Sequence, residues 1–149
     1  MQVLIIEDGD EYLESLSRFV IGPQYAQVRC AAEALQWLRQ EHADVIYLDM
    51  RFDRLERSRL LGDVQDAVRR HNGNSERGYR YLANNQGLFI LEELRRHGYG
   101  HVPVILAYDF SHELSRFAVL SERHPNLSWI PDAISPEEIQ ARLDRLGMA

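Results

Sequence analysis

Short unbroken apolar runs alternate with amphipathic stretches along this chain, and the alternation predicts its layout. Val3-Leu4-Ile5-Ile6 and Val45-Ile46-Tyr47-Leu48 have the length and character of parallel strands buried on both faces. Between them, Leu13, Leu16 and Phe19-Val20 recur at helical spacing, which predicts a helix over 10–20 with acids crowding its first turn. Gly22-Pro23 ends that helix. A short strand over 27–30 and a helix over 32–41, with Leu35 and Leu38 inward, complete the first half. The second half repeats the scheme. A helix is predicted over 87–96 (Leu88, Leu91 and Leu94 on one face), a strand over 102–108, and a helix over 111–122 with Leu114, Phe117, Ala118 and Leu120 inward. A last strand over 127–130 precedes Ser135-Pro136-Glu137-Glu138, a helix start with a capping serine and a glutamate three residues on. Ile139, Leu143 and Leu146 form the stripe behind it.

Five strands separated by helices predict an α/β fold, a doubly wound parallel sheet with helices on both faces. Sites in such sheets form at the carboxyl ends of the strands. Glu7, Asp8 and Asp49 stand there.

Residues 52–86 break the rhythm, being too long for an ordinary βα connection. Leu55, Leu60-Leu61, Val64 and Val68 predict an inserted helix over 54–70, ended by His71-Asn72-Gly73-Asn74-Ser75. Tyr79-Arg80-Tyr81-Leu82 is then expected to return to the main fold.

Composition narrows the classes. At 149 residues, 45% hydrophobic and 27% charged, the chain reads as one soluble domain, 1–149, with the insertion inside it. No stretch is long and apolar enough to span a bilayer, no signal peptide is visible, and the single cysteine, Cys30, excludes an internal disulfide. A cytoplasmic protein without membrane attachment is the expectation. The net charge of −6 argues against nucleic-acid binding. All 17 basic residues are arginines, so no lysine ammonium is available to a phosphate. Seven of them (54, 57, 59, 69, 70, 77, 80) fall in 52–85 against five acids.

In these blocks the chain resembles the receiver domain of bacterial two-component response regulators. Leu4-Ile5-Ile6-Glu7-Asp8 looks like the first strand with its acidic pair, and Asp44-Val45-Ile46-Tyr47-Leu48-Asp49 like the third strand with its phosphoacceptor. Gly87-Leu88-Phe89-Ile90-Leu91 resembles the glycine and helix that follow, Pro103-Val104-Ile105-Leu106 the fourth strand, and Ser135-Pro136-Glu137-Glu138-Ile139 the start of the last helix. The resemblance implies a flavodoxin-like sheet in the order 2-1-3-4-5. It also implies a magnesium site made by Glu7, Asp8, Asp49 and the main-chain carbonyl of Arg51, with Asp49 as acceptor. Two positions depart from the pattern. Tyr108 stands where the family has Thr or Ser, and Asp132 where it has Lys, which reverses the sign of the contact with phosphate.

The resulting expectation is an atypical receiver that acts as a protein-interaction module, not an enzyme, without conventional phosphoryl switching. Its partner would be a histidine kinase or a downstream signalling protein, with a homodimer admitted. The alternatives are a divergent phosphoacceptor response regulator phosphorylated on Asp49, and a metal-dependent phosphoesterase. Arg54, Arg57, Arg59, Arg69 and Arg70 are a candidate recognition surface for an acidic or phosphorylated ligand. Tyr108 and Asp109 are read as packing or capping residues, His112 and His124 as surface residues, and Cys30 as a small buried hydrophobe.

Overall fold

A computed structural model describes residues 1–147. Its centre is a five-stranded parallel sheet in the order β2-β1-β3-β4-β5, formed by β1 (Gln2–Ile6), β2 (Gln24–Val28), β3 (Val45–Asp49), β4 (Val104–Ala107) and β5 (Leu127–Trp129). Among the described residues seven α-helices connect and cover it: α1 (Glu11–Phe19), α2 (Ala31–Gln40), α3 (Val64–Arg70), α4 (Ser75–Asn84), α5 (Gln86–Arg96), α6 (Leu114–Arg123) and α7 (Pro136–Gly147).

The pleat sorts the strand residues into two cores. Leu4, Ile6, Ile46, Leu48, Val104 and Leu106 pack with Leu35 and Leu38 of α2 and Ile90, Leu91 and Leu94 of α5. On the other face Val3, Ile5, Val45, Tyr47 and Ile105 pack with Leu16 of α1 and Leu143 of α7. The central strands are therefore apolar at every position except Gln2 and Asp49 at their ends. β2 is an edge strand, so its alternation is weak, and it runs three residues earlier than its sequence pattern predicts. The Ser135 hydroxyl accepts from the Glu138 N–H at 3.2 Å and starts α7 as expected.

Three burial expectations are corrected. Phe19 is 57% exposed, because Leu16 and Val20 already fill that side of α1. Leu114 is 60% exposed and Ala118 exposed; α6 starts only at Leu114, and Phe110, just before it, is the core anchor. His124 is buried at 8% exposure and lies 3.6 Å from the Glu92 carboxylate; burial lowers its pKa.

The inserted stretch is built differently from the single helix expected. A 3₁₀ turn at Arg57–Arg59 leads into an extended segment, and α3 begins only at Val64. Gly62, at φ +114°, breaks any continuous helix, because only glycine enters that region without strain. Leu55, Leu60 and Leu61 pack on the core as irregular chain. Residues 79–82, expected to rejoin the main fold, lie in a second inserted helix, α4, which packs on α3.

Candidate functional site

The register of the sheet places the acids. Ile6 pairs with Leu48, so one step further Glu7 and Asp49 stand abreast at the carboxyl edge, and Asp49 pairs across β4 with Ala107. The Glu7 N–H continues the β1–β2 ladder to the Val28 carbonyl at 3.1 Å. Its side chain, 3% exposed, accepts from the Tyr12 N–H in the first turn of α1 at 3.0 Å. The Asp49 carboxylate accepts from the Met50 N–H at 2.8 Å. The Asp8 carboxylate accepts from the Arg54 N–H at 2.6 Å, and the Asp8 carbonyl from the Arg29 guanidinium at 3.0 Å.

Burial is the main influence on this edge. It lifts Glu7 to about 7, with the Asp49 and Glu11 carboxylates adding to the rise and the Tyr12 N–H opposing it. Burial likewise lifts Asp49 to about 6, against the Met50 N–H and with the charge of Asp8. Glu11 goes the other way, down to about 2, because the Arg54 guanidinium pairs with it. Tyr12 and Tyr47 are raised by burial and by the same carboxylates.

Asp49 lies between two cavities. One, about 250 Å³, is lined by Glu7, Asp8, Glu11, Asp53, Arg51 and Arg54. The other, about 460 Å³, is lined by Arg51, Tyr108, Asp109, His112, Glu113 and Asp132. The geometry thus brings Glu7, Asp8, Asp49 and Arg51 together, with Tyr108 and Asp132 on the opposite flank. Tyr108 hydrogen bonds to Glu113, which raises its pKa, and its ring meets Phe110 edge-on at 4.7 Å. Asp132 is exposed, and its N–H donates to the Asp109 carboxylate at 3.0 Å. Asp109 also accepts from the Ser111 N–H at 2.8 Å, so it ties the β5–α7 loop to the end of β4.

The chemistry of the donors suits magnesium, a hard cation that takes carboxylate and carbonyl oxygens. The arrangement does not fit it. Among the described residues no group of three or more His, Cys, Asp or Glu side chains is placed to hold a metal ion. One oxygen of each of Glu7, Asp8 and Asp49 is already taken by a main-chain N–H.

The candidate recognition arginines are all engaged within the chain. Arg54 pairs with Glu11; Arg57 with Glu76 at 2.6 Å, over the Tyr79 ring; Arg59 with Glu33 at 2.9 Å; Arg69 and Arg70 with Asp66 at 3.7 and 2.9 Å. Arg59 also reaches the buried Cys30 sulfur at 3.6 Å. The Arg54 and Arg59 contacts seat the insertion against α1 and α2, and the others lie within the insertion.

Sequence reading missed Gln86. It is 0% exposed; its carbonyl accepts from the Leu61 N–H at 2.7 Å, and its amide donates to the Leu61 and Leu82 carbonyls, both at 3.1 Å. A glutamine beside the recognisable Gly87 is the only trace in the sequence, and nothing local marks it as buried.

No family model matches the sequence, and no curated protein matches it. Solved structures do. A Francisella response regulator receiver domain matches at 17% identity and TM-score 0.64, over 99% of this chain and 96% of that one. A putative response regulator from Chloroflexus aurantiacus matches at 15% identity and TM-score 0.66, over 99% and 98%. The receiver domain of a Pseudomonas aeruginosa sensor histidine kinase, described with magnesium coordinated in its active-site cleft, matches at 15% identity and TM-score 0.62, over 99% and 98%. Parallel strands in the order 2-1-3-4-5, helices on both faces and near full-length similarity on both sides give this chain the fold of response regulator receiver domains.

Proposed function

We propose that this chain is an atypical receiver-type module of bacterial two-component signalling, acting through protein contact without conventional phosphoryl switching and without enzymatic turnover. The observation that supports it is the wall beside Asp49. Asp109, Glu113 and Asp132 line that cavity, and Arg51 is the one arginine among its lining residues. A phosphoryl group on Asp49 would meet carboxylates where a receiver offers an ammonium. A like-charge contact at ~4 Å costs about 4 kcal/mol at an effective dielectric of 20, enough to disfavour the phosphorylated form strongly.

In this reading residues 1–149 work as one cytoplasmic unit carrying the 52–86 insertion, and the partner is a protein such as a histidine kinase or a downstream signalling component. A homodimer is compatible with it. The test treats the full chain with a small-molecule phosphodonor and magnesium and reads the intact mass. The expected result is an unmodified chain. A phosphoryl adduct abolished by Asp49→Asn would overturn the reading.

One observation favours a second reading, a divergent phosphoacceptor. Arg51 lines both cavities that meet at Asp49, which suits a guanidinium taking the role of the missing lysine. In that case the adduct forms and Arg51→Ala diminishes it.

A further inference from the structure

The insertion leaves β3 and returns to it at almost the same point. The Gly87 N–H donates to the Met50 carbonyl and the Phe52 N–H to the Ala83 carbonyl, both at 2.9 Å. The Phe52 side chain is fully buried, and Gln86 holds both polar groups of Leu61. Residues 53 and 54 are thereby fixed over the acidic edge. From there the Arg54 N–H reaches Asp8 at 2.6 Å, and its guanidinium pairs with Glu11, the carboxylate next to Glu7. Arg29 closes the far side, bonding the Asp8 carbonyl at 3.0 Å and the Asp10 carboxylate at 2.7 Å.

A compensating cation relieves the repulsion within a carboxylate cluster at a strand edge. Here one arrives covalently attached to the chain. Magnesium demands near-octahedral oxygen ligands and gives up its water reluctantly, so a tethered guanidinium at high effective concentration is a strong competitor.

We propose that the start of the insertion is an electrostatic plug: Arg54, which lines the cavity with Glu7, Asp8 and Asp49, supplies there the positive charge that a divalent cation would bring and so disfavours metal binding. The proposal deepens the interaction-module reading and rests on it, since a receiver that needs no phosphoryl transfer needs no metal. Arg54 is a positioning residue here; its main-chain N–H pins Asp8 and its guanidinium holds Glu11.

Manganese, observed by the loss of its free-ion EPR signal, is the probe, added to the full chain. The wild type is expected to show no saturable site at low millimolar metal. Arg54→Ala is expected to open one, tighter by roughly tenfold or more, and the added substitution Asp8→Asn to remove it again. Should Arg54→Ala not fold, Arg54→Gln keeps most of the side chain's length, removes its charge and is expected to act the same way. A saturable manganese site in the wild type that depends on Asp8 overturns the plug. So does a folded Arg54→Ala or Arg54→Gln protein that binds no more metal than the wild type. The two readings fail separately: metal binding without a phosphoryl adduct sinks the plug alone, whereas a phosphoryl adduct on Asp49 sinks the module reading.

Discussion

Gly87 rests directly on the main chain of Asp49. Its N–H bonds the Met50 carbonyl at 2.9 Å, and a Cβ at position 87 would strike the Asp49 carbonyl and come within 2.8 Å of the Met50 Cα. The root of the insertion and the candidate acceptor thus share one piece of backbone. In an exposed helix interior, Gly→Ala stabilises by roughly 0.5–1 kcal/mol. Here the sign reverses. Gly87→Ala is expected to destabilise by about 1–3 kcal/mol through overpacking, read from the urea midpoint; an unchanged or raised midpoint would show the backbone to be looser than described.

Gln86→Leu keeps the volume of the side chain and removes its polar ends. The Leu61 N–H and the Leu61 and Leu82 carbonyls then lose their partners inside the protein. A cost of about 3 kcal/mol is expected, together with faster proteolysis of the chain between 52 and 63. Cleavage at the wild-type rate would contradict the buried amide.

Acid stability carries the signature of Glu7. Burial raises it from 4.5 to about 7 and raises Asp49 to about 6, so the folded chain holds these protons more tightly than the unfolded one. Their contribution is complete below the ordinary carboxylate range and is lost as pH climbs through about 7. His124 opposes this: burial depresses it from 6.5, so its contribution is lost as pH falls. Glu7→Gln leaves the histidine contribution in place and removes the Glu7 decline. Between about pH 5 and 7 the wild type should lose about 2 kcal/mol relative to Glu7→Gln; parallel denaturation profiles for the two proteins would refute a protonated Glu7.

Metal removal is expected to do nothing to the wild type. A ligand that binds only the folded chain raises the unfolding temperature by mass action. With Arg54 seated on the acids, Tm should be the same in magnesium and in EDTA, and only Arg54→Ala should be stabilised by magnesium. A magnesium-dependent rise in the wild-type Tm is the contrary outcome.

The layout was legible because buried parallel strands have no polar residue to spare. Val3 to Ile6 and Val45 to Leu48 announce themselves, and the acids that follow them had to meet at one edge. The inserted segment was opaque for the opposite reason. Its leucines anchor irregular chain, so Leu55, Leu60 and Leu61 imitate a helical face without forming one, and Gly62 interrupts at φ +114°. His124 was misjudged because a histidine's burial depends on what Glu92 and its neighbours place around it.

Sequence alone determined the strand and helix alternation and the edge that carries Glu7, Asp8 and Asp49. These follow from local pattern and from chain order, which short-range physics reads directly. Only the tertiary structure decided that Arg54 bonds Asp8 across 46 positions, that the five candidate arginines are spent on Glu11, Glu76, Glu33 and Asp66, and that Gln86 is the buried joint of the insertion. Such pairings depend on where distant segments are brought by packing, and an arginine's spacing in the chain carries no record of which carboxylate it will meet.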